Sequence, residues 1–585
     1  MNDCRSLTLS CALVLFGLGA VSPTAAAARF NDAAAALAAE DAAALAAEDA
    51  AALVARGREH LAAGRIQPAR EAFESAAKLE PGLATRIWLW RVDIADGQFD
   101  RVLSEVSSER RTGAKGPEIP LAVGLALLAK SEAAIATGST GQVGLYLEDA
   151  MANLKEATDA EPERFADAFL PLARAAQLAG NNTTALAAAR RAEAADPTSL
   201  EARLVRGRAA LARSQEVDSD KEESSAALLE EARAAFRGAL ELIGDPKAPA
   251  QQLQAAQALV QVGHSHQFAN QAKDADVAYA QALSIAPDAV DLQSLMTIVG
   301  AARFADVLKR GAADFTKRYG ASDNRDATLQ WWLGWALFSS SDAKNYPAAE
   351  AAFKTTLAKW PEYVNSWYYL FRLRYEVADW AGAQDALENY AKANLEGLVD
   401  TLRRGDEHEF PRVEFVVAKL AGANASTDAA WLSEFLARAL PEDDPAAIAA
   451  QWNNAGLFWR EAGDNRGGRN PKVRADAQKY AELSAMYERS WAAYSSALEI
   501  EPDNPAYLND AAVILHYNLE RDYDRALKMY AAAAENAQAL LADKSLDPEL
   551  KPIYELALRD SKNNRRALAA KIEAERKERA GGGAG

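Results

Sequence analysis

The chain has 585 residues, half of them hydrophobic, and its 65 Lys and Arg stand against 83 Asp and Glu, a net charge of −18. That charge repels nucleic acid and anionic membrane surfaces, so a nucleic-acid-binding function is not expected. Long stretches are written in the helix formers Ala, Leu, Glu, Arg and Gln, with Gly and Pro standing between them. No run of alternating β-branched residues is long enough for a sheet, and the chain reads as all-α.

The first segment, residues 1–28, reads as a signal peptide. Its apolar run LTLSCALVLFGLGAV is short for a spanning helix, and SPTAAAARF after it offers an A-x-A cleavage site at Ala26–Ala28. The two cysteines, Cys4 and Cys11, both lie there. Cleavage therefore leaves no disulfide, thiolate nucleophile or cysteine metal site. The expected destination is the periplasm or the exterior, with no membrane-spanning segment in the mature chain. Residues 29–49 form an Ala-rich lead-in. AAALAAED is written twice over residues 34–49, and AAALVARG drifts on to residue 57. Eight residues overshoot two helical turns by about 80°. Leu37, Leu45 and Leu53 then spiral instead of forming a stripe, and the segment is no coiled coil.

From residue 50 a spacing recurs. Gly57 is followed by Ala69, Phe73, Ala76 and Pro81. Gly263, Ala275, Tyr279, Ala282 and Pro287 keep the same steps, as do Ala173, Ala185, Ala189, Ala192 and Pro197. The first small residue admits a second helix. The next small residue, the aromatic and the last small residue share one face of that second helix, and Pro ends it. These residues resemble the tetratricopeptide repeat, a helix–turn–helix unit of about 34 residues. The resemblance implies a right-handed α-solenoid of stacked pairs. Second-helix signatures recur at Ala150/Leu154/Ala157, Ala232/Phe236/Ala239, Ala349/Phe353/Thr356, Ser490/Tyr494/Ala497 and Ala526/Tyr530/Ala533.

The expected organisation is a repeat array over 50–394, a non-standard helical linker over 395–448, and a repeat pair over 449–540. A capping helix with a Gly-rich tail fills 541–585. Segment 214–224 reads as an acidic insert, and 463–483 as a flexible one.

Catalytic chemistry is thin. The five histidines (His60, His264, His266, His408 and His516) form no H-E-x-x-H, and neither G-x-S-x-G nor G-K-[ST] occurs. His264 and His266 lie about 200° apart on a helix, which suits packing better than shared metal ligation. GDEHEF at 405–410 reads as a solvated acidic turn, and GSTGQVG at 138–144 lacks the lysine of a phosphate loop. No enzyme, cofactor or metal is expected.

In the family resembled, the first helix of each pair lines the concave face, which implies recognition of a protein or peptide there. Aromatic and polar residues free for that role gather in the C-terminal half. They are Trp331 and Trp335; Asn365, Tyr368, Arg372 and Tyr375; Asn453 and Arg460; Asn509 and His516. Tyr, Trp and Arg are frequent hot-spot residues. The N-terminal half, richer in Ala and Arg, reads as a spacer. The expected function is a non-enzymatic binding scaffold of the bacterial cell envelope. The alternatives are an architectural spacer without a ligand groove and, third, an enzyme using the groove surface.

Overall fold

The computed structural model describes residues 49–217, 224–404 and 409–581. The signal segment, both cysteines, most of the AAALAAED duplication, His408 and the centre of the acidic insert lie outside them. Among the described residues there is no strand. The helices pack in consecutive antiparallel pairs, in two compact units, Met1–Gly320 and Ala321–Gly585.

The first unit holds the pairs α1 (Ala50–Ala62) with α2 (Ile66–Leu79), α3 (Leu83–Ala95) with α4 (Phe99–Arg111), and α5 (Glu118–Ala136) with α6 (Val143–Ala160). It continues with α7 (Phe169–Leu178) and α8 (Asn182–Ala195), α9 (Leu200–Arg213) and α10 (Ser225–Ile243), α11 (Pro249–Phe268) and α12 (Ala272–Ile285), then α13 (Leu292–Val299) and α14 (Ala301–Tyr319). Local sequence starts and stops these helices. The Asp49 carboxylate accepts from the Ala52 amide at 2.8 Å to open α1, and Asn181 does the same for Thr184 at 3.0 Å to open α8. Gly64 and Gly180 turn the chain with φ near +70° and +74°, a region other residues enter at a cost.

The second unit pairs α15 (Ala327–Ser339) with α16 (Tyr346–Lys359), and α17 (Asn365–Glu376) with α18 (Trp380–Arg404). It then pairs α19 (Glu409–Gly422) with α20 (Ser426–Ala439). After α21 (Pro445–Asn465) comes the short α22 (Pro471–Arg474) and α21's partner α23 (Ala477–Ile500). Last are α24 (Pro505–Val513), α25 (Tyr523–Ala542) and α26 (Lys551–Gly581). Segment 395–448 lies inside this unit. α18 breaks at Asn394, whose side chain accepts from the Gly397 amide at 2.8 Å and restarts the helix. α19 and α20 then pack as one more pair in series.

The pairs close as the spacing predicts, with a glycine of the first helix under an aromatic ring of the second. A methyl added at Gly207 would lie 2.6 Å from the Phe236 ring, one at Gly334 2.8 Å from Phe353, and one at Gly456 2.5 Å from Tyr494. Gly57 meets Phe73 and Gly263 meets Tyr279 in the same way. All five rings are almost wholly excluded from solvent. Charged side chains tie the stack. Arg174 of α7 reaches Glu132 of α5 and, at 3.3 Å, Glu201 of α9. The Lys359 ammonium is buried against Asp326, and it also donates to the Asp323 carbonyl at 2.7 Å.

Two sequence expectations change. The 463–483 insert is mostly helix, the end of α21 and the start of α23. Its remainder is held by Arg474, which donates to the Gly468 carbonyl at 2.6 Å and the Tyr517 carbonyl at 2.9 Å. Gly463 and Gly468 both lie against Tyr487, so the two glycines serve close packing. The sequence was read as holding no membrane-spanning stretch after the signal segment, yet helix α5 is long and apolar enough to cross a membrane; half of that apolar stretch is buried in the core of the first unit.

Candidate functional site

Two groups of side chains stand on the first helices of the second unit. The first is aromatic. On α15, Trp331 packs edge-on against Trp332 (5.3 Å), Tyr363 (5.6 Å) and Tyr369 (5.6 Å), and Trp335 meets Trp332 at 5.4 Å. On α17, the three-and-four spacing brings Tyr368, Arg372 and Tyr375 to one face. That face is already engaged. The Arg372 guanidinium donates to the Tyr368 hydroxyl at 3.1 Å and to the Glu409 carboxylate at 2.8 Å. Arg412 donates to the same Glu409 oxygen at 2.6 Å. Tyr375 packs against Trp380 and Phe415 at 5.7 and 5.8 Å.

Glu409 is only 4% exposed, and its second oxygen is buried without a hydrogen-bond partner. Burial pushes the Tyr368 hydroxyl up to about 12, and the Glu409 charge adds to it. Arg372 is pulled down by burial but held above its ordinary value by the Tyr368 hydrogen bond and the Glu409 charge. Asn365, at the start of α17, is exposed. Trp331, Trp335, Tyr368, Arg372 and Tyr375 are each half-buried.

The second group is polar and spans three first helices. Asn453 and Arg460 come from α21, Asn509 and Asp510 from α24, and Ser561 and Asn564 from α26. Arg460 stands 4.0 Å from the Asp510 carboxylate, with its guanidinium 6.0 Å from the Tyr494 ring centre. The Asn453 and Asn509 side-chain amides stand near Asp510 and favour its charged form. The Asn509 side-chain oxygen accepts from Asn564 at 3.3 Å, and Asn564 accepts from the Tyr517 hydroxyl at 3.2 Å. The Asp510 side chain is 27% exposed, yet burial raises its pKa against the opposing pull of Arg460 and the two amides. Asp510 is thus a carboxylate that solvent can reach but not fully hydrate. Gln451 of α21 donates to Glu414 of α19 at 3.0 Å and ties this group to the pair before it.

His516 does not face a partner. α24 ends in one wide turn, Ile514–Asn518, which carries the ring inward. The ring is 2% exposed, lies 3.7 Å from the Tyr517 ring and comes within 3.3 Å of the Tyr530 hydroxyl. Tyr517, its exposed neighbour, reaches the polar group instead. Sequence reasoning also missed Glu409, Arg412, Asp510 and Asn564. Asp510 follows Asn509 directly and could have been read with it. Glu409 was read within GDEHEF as part of a solvated acidic turn; it is instead buried at the start of α19 against Arg372, 37 residues away, a pairing that short-range spacing does not record.

Burial lowers His516 to about 4, and the Lys571 charge adds to it. His264, 2.9 Å from the Tyr279 hydroxyl, is likewise lowered to about 4 by burial. Both rings stay neutral in the fold while the unfolded chain gains a proton near pH 6.5. Stability therefore falls as pH drops from about 6.5 towards 4, by about 2 kcal/mol per ring between pH 7 and pH 5. Melting at the two pH values is expected to show a smaller loss in His264→Asn than in the unsubstituted chain. An unchanged loss would refute the assignment.

The small-residue-under-aromatic packing, repeated from Gly57/Phe73 to Gly456/Tyr494, decides the type of these pairs. The pairs are packed in the manner of the tetratricopeptide fold. No family model and no curated protein matches the chain. Among solved structures it is similar to TTC0263, a thermophilic tetratricopeptide protein of Thermus thermophilus, at 24% identity and a TM-score of 0.27 over 36% of this chain and 98% of that one. It is also similar to the tetratricopeptide domain of P58(IPK), at 16% identity and a TM-score of 0.18 over 75% of this chain and 98% of that one. Yeast Tom70 is a third, at 12% identity and a TM-score of 0.20 over 90% of this chain and 99% of that one.

Proposed function

We propose that the chain is a non-enzymatic scaffold of the bacterial cell envelope that binds a protein or peptide along the first helices of its second unit. The supporting observation is the polar group around Asp510. Three successive first helices contribute to it. Arg460 and Asp510 stand close without a tight bond, and the Asn453 side-chain oxygen is buried with no partner. Groups so placed recover hydrogen bonds when a polar ligand replaces water. The aromatic side chains of α15, Trp331 and Trp335, supply apolar contact on an earlier first helix of the same unit. Export follows from the reading of residues 1–28.

The test is a pull-down from envelope extract with the chain from Arg29 onward, beside an Asn453→Ala/Asn564→Ala variant of equal melting temperature. A partner kept by the unsubstituted chain and lost by the variant supports the reading. A partner held equally by both refutes it and favours the spacer role. Arg372→Glu is unsuited to this test, because it would set a second carboxylate against buried Glu409.

A further inference from the structure

The net charge of −18 is an average, and the last helix reverses it. From Lys551 to Arg576, α26 carries seven Lys and Arg against four Asp and Glu. Helical periodicity sorts its residues by side. Ala557, Ser561 and Leu568 are buried, and Asn564 turns to Asn509 of α24 on that same covered side. Leu556, Arg559, Lys562 and Arg566 step by three, three and four, which keeps them together on the outer side. All four are exposed, as are Ile553 and Arg565 on its two flanks.

The cations on this side are largely unspent. Arg559 has its neighbour Asp560 at 3.0 Å, but Lys562, Arg565 and Arg566 form no ion pair among the described residues. Like charges three and four apart on a helix repel one another, and a negative surface laid against them relieves that cost. Beside them stand large aliphatic side chains. Ile553 is 47% exposed and Leu556 49%, and Leu550, just ahead of the helix, is 39% exposed. Among the described residues no helix follows α26 to cover them. Protein interfaces centre on Trp and Tyr anchors. No Trp and no exposed Tyr stands between Leu550 and Arg576. Aliphatic side chains beside unpaired Lys and Arg suit a surface that is negative outside, apolar beneath and without fixed shape. A nucleic acid would use the cations and leave Ile553 and Leu556 in water.

We infer that the outer side of α26 docks on an anionic phospholipid bilayer. Lys562, Arg565 and Arg566 rest on the phosphate headgroups, while Ile553 and Leu556 enter the boundary between headgroups and acyl chains. The acidic remainder of the chain is repelled by the same surface, which confines contact to this helix. The side of α26 that joins the polar group around Asp510 takes no part, and the inference does not rest on the peptide reading.

The test is co-sedimentation of the chain from Arg29 onward with phosphatidylcholine vesicles, with and without phosphatidylglycerol as about a third of the lipid. Binding to the mixed vesicles is expected to be about tenfold or more tighter, and to weaken as salt is raised. Lys562→Gln/Arg565→Gln/Arg566→Gln is expected to lose about tenfold or more. Lys309→Gln/Arg310→Gln/Lys317→Gln, exposed on α14 of the first unit, removes the same charge and should change nothing. Ile553→Ser/Leu556→Ser is expected to lose about fivefold. All the substituted side chains are exposed, so circular dichroism of each variant should match the unsubstituted chain. Three results would overturn the inference: no binding to the mixed vesicles, equal binding to both kinds, or an equal loss in the two charge triples. Binding that Ile553→Ser/Leu556→Ser leaves unchanged, and that duplex DNA matches in strength, would also overturn it by making α26 a site for polyanions.

Discussion

Arg372→Met alone is expected to destabilise the second unit by about 3 kcal/mol, Glu409→Met alone by a similar amount, and the double substitution by clearly less than either. The Glu409 carboxylate is 4% exposed and takes its hydrogen bonds from Arg372 and Arg412 on one oxygen, with none on the other. Removing Arg372 leaves that charge short of donors in a poorly hydrated place. Removing Glu409 leaves two guanidiniums, the second from Arg412, without their shared counter-charge. Removing both Arg372 and Glu409 exchanges a desolvated pair for apolar volume, which buried ion pairs often tolerate. Urea denaturation of the four proteins closes this cycle. Additive single effects would mean that the pair is not coupled and that Arg372 is free for a ligand.

Gly456→Ala is expected to cost about 3 kcal/mol, at the upper end of overpacking effects. The added methyl would lie 2.5 Å from the ring of Tyr494, which is fully buried between α21 and α23 and has no flexible end to swing aside. Gly141→Ala is the control. It meets nothing within 4 Å and should leave stability unchanged. Thermal melts of both variants decide the matter. A Gly456→Ala protein as stable as the control would show that small-under-aromatic packing does not close the pair.

Much of the fold was legible because its determinants are local. The step from small residue to aromatic to small residue is a property of one helix face, and it needs only a dozen or so consecutive residues to be seen. The candidate site was legible in part. The three-and-four spacing placed Tyr368, Arg372 and Tyr375 on one face, as the structure has them. The spacing of Asn453 and Arg460 brought both to the polar group around Asp510. His516 was misplaced because the wide turn at Ile514–Asn518 departs from the regular period that the reading assumed.

The sequence by itself determined the all-α class, the helix pairs and the type of their packing, because periodicity, turn residues and helix-ending prolines act over short distances. The tertiary structure alone decided which polar groups remain unspent. Arg372 is consumed by Glu409, 37 residues away, whereas Arg460 keeps a loose 4.0 Å approach to Asp510. It also decided which side of α26 is covered, leaving Lys562, Arg565 and Arg566 exposed with no counter-charge among the described residues. Pairing, burial and hydration of charge are set by residues remote in the chain, and short-range spacing holds no record of them.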